Sequence, residues 1–156
     1  MRILVFSDSH GRGNRVEAAI IEQPQAEHIF FLGDRCSDIE HLPELYPDKK
    51  FYTVYGNCDM RFGGDTVKME NIGGHKILYT HGHEFSVKSG TERLISYARN
   101  VGADIVLYGH THVAETRYSD GLHIINPGSI GKGAGFDSYA FLDIEKSGVR
   151  PVIVRI

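Results

Sequence analysis

The first ten residues read Met1-Arg2-Ile3-Leu4-Val5-Phe6-Ser7-Asp8-Ser9-His10, an apolar run followed at once by side chains that can bind metal. A short apolar run rich in β-branched and aromatic residues predicts a strand that is covered on both faces. Four more runs of this kind follow, and they are Ile29–Leu32, Phe51–Tyr55, Ile77–Tyr79 and Ile105–Tyr108. Each run ends near Gly, Ser or Thr, as strands commonly do.

Helical patterns lie between several of these runs. Asn14–Gln23 carries apolar residues at helical spacing before Pro24, and Thr91–Val101 does the same before Gly102. A shorter helix is expected over Asp38–Leu45. The first half therefore reads β-α-β-α-β, which is typical of a parallel sheet.

The second half of the chain predicts hairpins instead. The expected pairs are Thr66–Ile72 with His75–Thr80, Val113–Tyr118 with Leu122–Asn126, and Tyr139–Ile144 with Val149–Ile156. The first pair is joined by Gly73-Gly74, a strong hairpin signal. Hairpins added to a βαβ unit fit either one mixed sheet or two sheets packed face to face with helices outside, and the pattern leaves this choice open.

Length and composition favour one globular domain over residues 1–156. The chain has a net charge of −3, with 41% hydrophobic and 24% charged residues, and this small acidic excess argues against a dedicated nucleic-acid-binding protein. No window approaches the roughly 18 apolar residues of a membrane span, and Ile3–Phe6 is too short for a signal peptide. With only Cys36 and Cys58, a disulfide framework is excluded, and we expect a cytoplasmic protein.

Metal-binding side chains follow each of the five apolar runs. The carboxyl ends of parallel strands meet at one edge of a sheet, where ligands bind. We therefore expect seven side chains to converge on one site: Asp8, His10, Asp34, Asn57, His81, His110 and His112. Each motif alone has a plainer explanation, such as a helix cap at Asp8 or a turn at Gly33-Asp34. Five coincidences at the same position of five strands are hard to obtain by chance.

Seven ligands are too many for one ion, because a zinc site is full with four. Shared between two ions through one bridging carboxylate, they provide eight contacts, four for each ion. Carboxylate, carboxamide and imidazole together suit borderline divalent ions, so we expect Mn²⁺ first, with Ni²⁺, Fe²⁺, Co²⁺ or Zn²⁺ as alternatives. Two such ions ~3.5–4 Å apart form a clamp for in-line displacement at phosphorus.

The ordered motif set resembles that of the calcineurin-like metallophosphoesterases. The matching residues are Asp8-x-His10, Gly33-Asp34, Gly56-Asn57-x-Asp59, His81 and Gly109-His110-x-His112. The short chain, Thr80-His81-Gly82-His83 and Asn126-Pro127-Gly128-Ser129 are similar to the small YfcE-type phosphodiesterase branch. This resemblance implies an α/β fold, namely a four-layer α/β/β/α sandwich of two mixed β-sheets flanked by helices.

The resemblance also implies roles for the seven residues. Asp8, His10, Asp34 and His112 would hold one ion, and Asp34, Asn57, His81 and His110 would hold the other, with Asp34 as the bridge. The implied reaction is hydrolysis of a phosphate diester by a hydroxide that bridges the two metals. Asn57 and His110 would also lie close to the phosphate, and His83 would either assist the phosphate or support His81.

Two positions depart from the family pattern. The family often has His, which can act as an acid, where this chain has Cys58, so Cys58 becomes a candidate for the catalytic set and leaving-group protonation is in question. The family also often has an acidic residue where this chain has Ser37, and Asp38 follows one position later. The second departure concerns mainly the structure of the loop.

Several further expectations concern partners and surroundings. The substrate is expected to be a small phosphodiester, with nucleic acid only as one such substrate, no membrane association, and a homo-oligomer as a plausible assembly. Met60–Asp65 and Glu84–Gly90 are expected to line the site, and Lys132 is a weaker candidate for reaching the substrate. We expect a surface position for His28, His41, His75 and His123, and a buried one for Cys36.

Two other classes of function compete with the enzyme. A retromer scaffold subunit shares this fold but is a protein-interaction module with an incomplete ligand set, whereas every ligand position is filled here. A metal-storage or metal-sensing protein would not need a bridging carboxylate with ligands at five strand ends. A metal-dependent phosphoesterase therefore remains the favoured interpretation.

Overall fold

A computed structural model describes residues 1–59 and 64–156, in which ten strands form two five-stranded sheets. The strands are β1 (Arg2–Phe6), β2 (Ala26–Phe31), β3 (Lys50–Thr53), β4 (Val67–Ile72), β5 (His75–Thr80), β6 (Ile105–Tyr108), β7 (Ala114–Ser119), β8 (Leu122–Pro127), β9 (Ser138–Glu145) and β10 (Gly148–Arg155). The helices are α1 (Gly13–Glu22), α2 (Leu42–Leu45) and α3 (Glu92–Asn100), with 3₁₀ turns at Cys36–Asp38 and His83–Phe85.

Both sheets are mixed. The first sheet has the order β10-β9-β1-β2-β3, in which β1, β2 and β3 are parallel and β9 runs antiparallel to both β1 and β10. The second sheet has the order β4-β5-β6-β8-β7, in which β5, β6 and β8 are parallel and the outer strands β4 and β7 are antiparallel. All three predicted hairpins are therefore present, with strand ends that shift by at most one residue.

The alternation of side chains along β1 shows why the strand is apolar on both faces. Ile3 and Val5 lie in the central core, which also contains residues of the second sheet such as Ile77. Leu4 and Phe6 point to the opposite side, into the core that the first sheet forms with α1. The central core therefore holds the two sheets together, and Phe30 of β2 and Leu107 of β6 contribute to it from either side.

A third core covers the outer face of the second sheet. Leu94 and Ala98 of α3 pack there with Leu78 of β5 and Val106 of β6. Helix, sheet, sheet and helix thus follow one another, which confirms the expected four-layer α/β/β/α sandwich. No helix in the described part of the chain is both long enough and apolar enough to span a membrane.

Three local expectations are wrong. The helix over Asp38–Leu45 is replaced by the 3₁₀ turn Cys36–Asp38 and the short α2, because Pro43 in the first turn of α2 favours a new helix start. His28 is only 6% exposed rather than a surface residue, since its ring stacks on Tyr52 and its Nδ1 lies 3.0 Å from the Tyr52 hydroxyl. The five strands that lead to the site belong to two sheets, not to one sheet edge.

Candidate metal centre

The candidate site lies where the carboxyl ends of β1, β2 and β3 meet those of β5 and β6. Two contacts join the sheets there: His81 Nδ1 lies 2.7 Å from the carbonyl oxygen of Leu32, and the N–H of His110 donates to Asp8 Oδ2 at 3.1 Å. The packing of the two sheets therefore brings the strand ends of both sheets to one site.

The first group of metal-binding side chains consists of Asp8, His10 and His112, whose ligand atoms all lie within 4.8 Å of one another. His112 Nε2 lies 3.0 Å from Asp8 Oδ1 and 3.3 Å from His10 Nε2. Asp8 is fully buried at the end of β1, and both imidazoles reach it from the open side of the site. We call these three residues the Asp8 group.

The second group consists of Asp34, His81 and His110, whose ligand atoms also lie within 4.8 Å of one another. His81 Nε2 lies 3.1 Å from His110 Nδ1, 3.4 Å from Asp34 Oδ1 and 3.2 Å from the side-chain oxygen of Asn57. Asn57 thus joins this set, which we call the Asp34 group. Among the described residues, Asp34 lies within the 4.8 Å limit of the second group and not of the Asp8 group. Its role as a bridge between two ions therefore stays a prediction.

The donor set of the Asp34 group fits a cation. Because the carbonyl of Leu32 can only accept, His81 Nδ1 carries its proton, which leaves a lone pair on Nε2. That lone pair faces a carboxylate oxygen and a carboxamide oxygen, which are also acceptors. Acceptors facing acceptors in a buried place are satisfied by a positive ion between them.

The backbone conformation of the ligand loops is unusual. Eight non-glycine residues in the described part of the chain have a positive φ, and five of them are predicted ligands: Asp8, His10, Asp34, His110 and His112. The left-handed region costs a non-glycine residue roughly 1–2 kcal/mol. Such strain persists where the surrounding structure imposes it, and it is concentrated at functional sites.

Two glycines allow the loops to approach the ligands closely. A Cβ added at Gly56 would clash with the Asp34 carboxylate, and one added at Gly109 would clash with the hydroxyl of Ser7. Both glycines directly precede a predicted ligand, Asn57 and His110 respectively. The Gly-Asn and Gly-His pairs of the sequence are therefore a steric requirement of this site.

Asp59 organises the loops of the Asp34 group without facing their metal-binding atoms. Its two carboxylate oxygens accept N–H bonds from Asp34, Arg35, Cys36 and Gly56 at 2.7–2.9 Å. These bonds tie the loop after β2 to the loop after β3. Asp59 therefore supports the loop that carries Asp34.

Asn126 and Ser129 hold the remaining loops, and no role for them could be derived from the residue pattern. The Asn126 amide donates to Gly109 O at 3.1 Å and Thr111 Oγ1 at 3.0 Å, on either side of His110. The Ser129 hydroxyl donates to Asp8 O at 2.7 Å. Both side chains are fully buried, and the sequence signal for them is a polar residue directly after the apolar pair Ile124-Ile125 and a second one three positions later.

The imidazoles of the two groups have opposite electrostatic surroundings. Burial and the charges of His81 and Lys88 lower the pKa of His110 to about 4. The hydrogen bond to Asp8 raises the pKa of His112. Burial by itself would raise the pKa of Asp8, but the bonds from His112 and Ser7 and the charge of His81 lower it overall. Asp8 is therefore a carboxylate ready to bind a cation.

His83 and Cys58 lie beside the Asp34 group. The His83 ring centroid is 5.4 Å from that of His81 and 6.1 Å from that of His110, and its buried Nδ1 has no hydrogen-bond partner. Cys58 is exposed, and its N–H donates to Asp34 Oδ1 at 2.8 Å. Burial and the neighbouring Asp34 raise the pKa of its thiol to about 11.

The other predicted surroundings are placed as follows. Lys132 has an exposed side chain, while its backbone carbonyl accepts a bond from His112. Lys88, within the predicted lining Glu84–Gly90, acts electrostatically on both His110 and His112. Most of the other predicted lining, residues 60–63, lies outside the described residues. Cys36 is buried as expected.

Comparison with known proteins identifies the family. The model of the calcineurin-like phosphoesterase superfamily domain matches residues 1–147. The chain is 34% identical over 150 residues to the "Probable metallophosphoesterase YsnB" of Bacillus subtilis, covering 93% of this chain and 85% of that protein. It is 27% identical over 179 residues to a phosphodiesterase of Methanocaldococcus jannaschii, covering 99% of this chain and 100% of that protein.

A relative of another kind is equally close in identity. Vacuolar protein sorting-associated protein 29 of Schizosaccharomyces pombe is 34% identical over 136 residues, covering 83% of this chain and 72% of that protein. Among solved structures, that of a predicted phosphoesterase from Streptococcus pneumoniae superimposes with a TM-score of 0.84 at 30% identity, covering 99% of this chain and 88% of that chain. Fold and sequence therefore point to the same superfamily.

Proposed function

The chain belongs to the calcineurin-like phosphoesterase superfamily, and on that premise we propose that it is a metal-dependent phosphodiesterase with two divalent ions. The observation that carries the proposal is the pair of adjacent groups of metal-binding side chains at the meeting edge of the two sheets. Both groups contain ligands with strained backbone, which is the kind of strain that is concentrated at functional sites.

We propose that the Asp8 group would hold one ion and the Asp34 group the other. Asp34 would complete the first set as the bridging ligand, which is the role that the family resemblance implies. Divalent ions, with Mn²⁺ as the first choice, supply positive charge against the phosphoryl oxygens and a water whose pKa is lowered toward ~7. No nucleophile from the protein is required.

Neighbouring groups of the protein fix the orientation of His81 and the protonation state of His110. His81 is held in one tautomer by the carbonyl of Leu32, so that its Nε2 always faces the Asp34 group. The low pKa of His110 keeps its imidazole neutral near pH 7, as a metal ligand must be. Asn57 and His110, both in the Asp34 group, are proposed to lie close to the phosphate. His83, beside that group, is proposed either to assist the phosphate or to support His81.

The preference for diesters rests on Cys58. A thiol at this position is a less suitable general acid than the imidazole that the family often has there. Esters with a good leaving group, such as aryl diesters, do not need a proton from a general acid. We therefore infer that aryl diesters are hydrolysed faster than alkyl monoesters.

Hydrolysis of bis-p-nitrophenyl phosphate tests the proposal. Protein that has been exhaustively chelated is expected to be inactive and to recover activity when Mn²⁺ is added. The variant His81→Asn should not recover, whereas His41→Asn, the same change at an exposed histidine outside both groups, should behave as wild type. Full activity after chelation would contradict the proposal.

The similarity to the S. pombe sorting protein supports one alternative, a non-catalytic interaction module of the same fold. Under that alternative the chelated and the Mn²⁺-loaded protein would both fail to hydrolyse any diester. The cytoplasmic location and a homo-oligomeric state also remain predictions from the sequence.

A further inference from the structure

Two recesses border the metal-binding groups on different sides. One, of about 230 Å³, is lined by residues of the loops that carry Asp34 and Asn57, including Arg35, Tyr55 and Cys58. The other, of about 490 Å³, lies between the segment Val87–Glu92 and residues around Thr111, the residue between His110 and His112. We call the second recess the Lys88 groove. A phosphodiester has two ester arms, and the site offers one recess for each.

Each recess has a cationic side chain, Arg35 in the first and Lys88 in the second, and only Arg35 has an acidic partner within ion-pair distance in the described part of the chain. Arg35 lies 3.8 Å from Asp38, and its recess also contains the carboxylate of Glu40. Lys88 is exposed, and within the described part of the chain no acidic side chain lies within ion-pair distance of its ammonium group. Lys88 is therefore the cation that remains available to a ligand.

The acidic residues of the Lys88 groove do not cancel this charge near the reaction centre. Glu115 accepts a bond from the Tyr108 hydroxyl and pairs with Arg117 at 3.1 Å. Glu92 belongs to the first turn of α3, at the other end of the segment that starts with Val87. The field of Lys88, in contrast, reaches both His110 and His112.

We propose that the Lys88 groove binds one ester arm of the substrate and that Lys88 recognises a second anionic group on that arm. The preferred substrates are then linear phosphodiesters that carry a further phosphate, such as a nucleotide ester with a phosphate at its far end. Val87 and Val113 provide apolar walls for the body of that arm. This inference rests on the proposed function and names the class of substrate for it.

A matched pair of substrates tests the inference. Both are p-nitrophenyl esters of thymidine 5′-phosphate, and one carries an additional 3′-phosphate. At low ionic strength, wild-type protein loaded with Mn²⁺ should favour the 3′-phosphorylated ester in kcat/KM on the order of tenfold, the size expected of one partly screened charge pair. In Lys88→Gln this ratio should fall to about one, while Lys146→Gln in the β9–β10 turn should keep the wild-type ratio.

Binding provides a readout that does not depend on turnover. Calorimetry on the Mn²⁺-loaded protein should show tighter binding of thymidine 3′,5′-bisphosphate than of thymidine 5′-monophosphate, and Lys88→Gln should remove the difference. A preference that persists in Lys88→Gln, or one that is absent in wild type, would overturn the inference. If neither ester nor bis-p-nitrophenyl phosphate is hydrolysed while the Lys88-dependent binding remains, the proposed function fails and the groove assignment stands.

Discussion

The Asp8 group and the Asp34 group differ in how well they satisfy their own polar atoms. In the Asp8 group His112 Nε2 lies 3.0 Å from Asp8 Oδ1, a contact that raises the pKa of His112, and the imidazoles of His10 and His112 are 25% and 22% exposed. In the Asp34 group the side chains of His81 and Asp34 are 0% and 3% exposed, and acceptors face acceptors. The first group has a hydrogen bond between an imidazole and its carboxylate, whereas the second places two oxygens beside the imidazole nitrogen that carries the lone pair.

This difference predicts an order of metal affinity. The Asp34 group loses unfavourable contacts when a cation enters, so it should bind its ion more tightly. The Asp8 group must first give up the proton of His112, so its ion should bind more weakly and more strongly with rising pH. The following experiments either remove this difference or make it measurable.

The largest effect is expected for Asp34→Asn. If Asp34 bridges two ions, the variant weakens both groups at once and should lower kcat/KM for bis-p-nitrophenyl phosphate on the order of 10³-fold. The control is Asp48→Asn, the same change on a carboxylate whose side chain is 76% exposed, which should leave the rate unchanged. A loss below about tenfold in Asp34→Asn would argue against the bridge.

Glutamine at one imidazole of each group separates the two groups. His81→Gln should remove the tightly bound ion, because His81 faces the metal-binding atoms of the three other residues of its group. His112→Gln should remove mainly the weakly bound ion and leave the tight one in place. Metal content by mass spectrometry after dialysis distinguishes the variants, and equal retention in both would contradict the predicted order.

Asn126→Ala should disturb both groups through the backbone that carries them. The variant leaves Gly109 O without its donor in a buried place, which costs about 1–3 kcal/mol of unfolding free energy. Loss of the same bonds should weaken metal binding about 10–100-fold. Asn71→Ala, at an exposed position of β4, serves as the control in chemical denaturation. Stability equal to that of the control would show that Asn126 does not hold this loop.

The histidine titrations of the metal-free protein show the difference between the groups directly. NMR should find a pKa of about 4 for His110 and a pKa above the ordinary value of 6.5 for His112. His112 therefore contributes stability below pH 6.5 that is lost as pH rises through its folded pKa. His110 acts in the opposite direction, because the unfolded chain binds more protons as pH falls from 6.5 toward 4. Two histidines that both titrate near 6.5 would contradict the opposite surroundings.

The smallest effect is expected at Cys58. Cys58→Ala should change hydrolysis of an aryl diester less than about threefold, since the thiol donates no proton there. Cys58→His should raise activity on an alkyl monoester, where a general acid contributes roughly 10²–10⁴-fold when well placed. The comparison needs kcat/KM for both substrates with metal content checked. Loss of aryl-diester activity in Cys58→Ala by orders of magnitude would make Cys58 a catalytic participant.

Local sequence patterns predict much of the fold because each strand is short and strongly apolar. Ile105–Tyr108 is found at the predicted residues, and Gly73-Gly74 forms the predicted turn. What local pattern does not contain is the division of the strands between two sheets. Ile3 and Ile77 meet in one core across 74 positions of sequence, and no short-range periodicity carries that information.

The candidate ligands are predictable from sequence, whereas their supports are not. Each ligand lies two or four residues after an apolar run, and that pattern is visible without coordinates. Asp59, Asn126 and Ser129 act through bonds to distant backbone atoms, as the bond from Ser129 to Asp8 shows. Their neighbours in space are set by tertiary structure, so residue type alone left their roles open.

The most direct test of the central claim, two adjacent ions held by one set of seven residues, is a calorimetric titration of the chelated protein with Mn²⁺. We predict two ions bound per chain with different affinities in wild type, and weakened binding of both in Asp34→Asn. Binding of a single ion by wild type, or of two ions at wild-type affinity by Asp34→Asn, would contradict the claim.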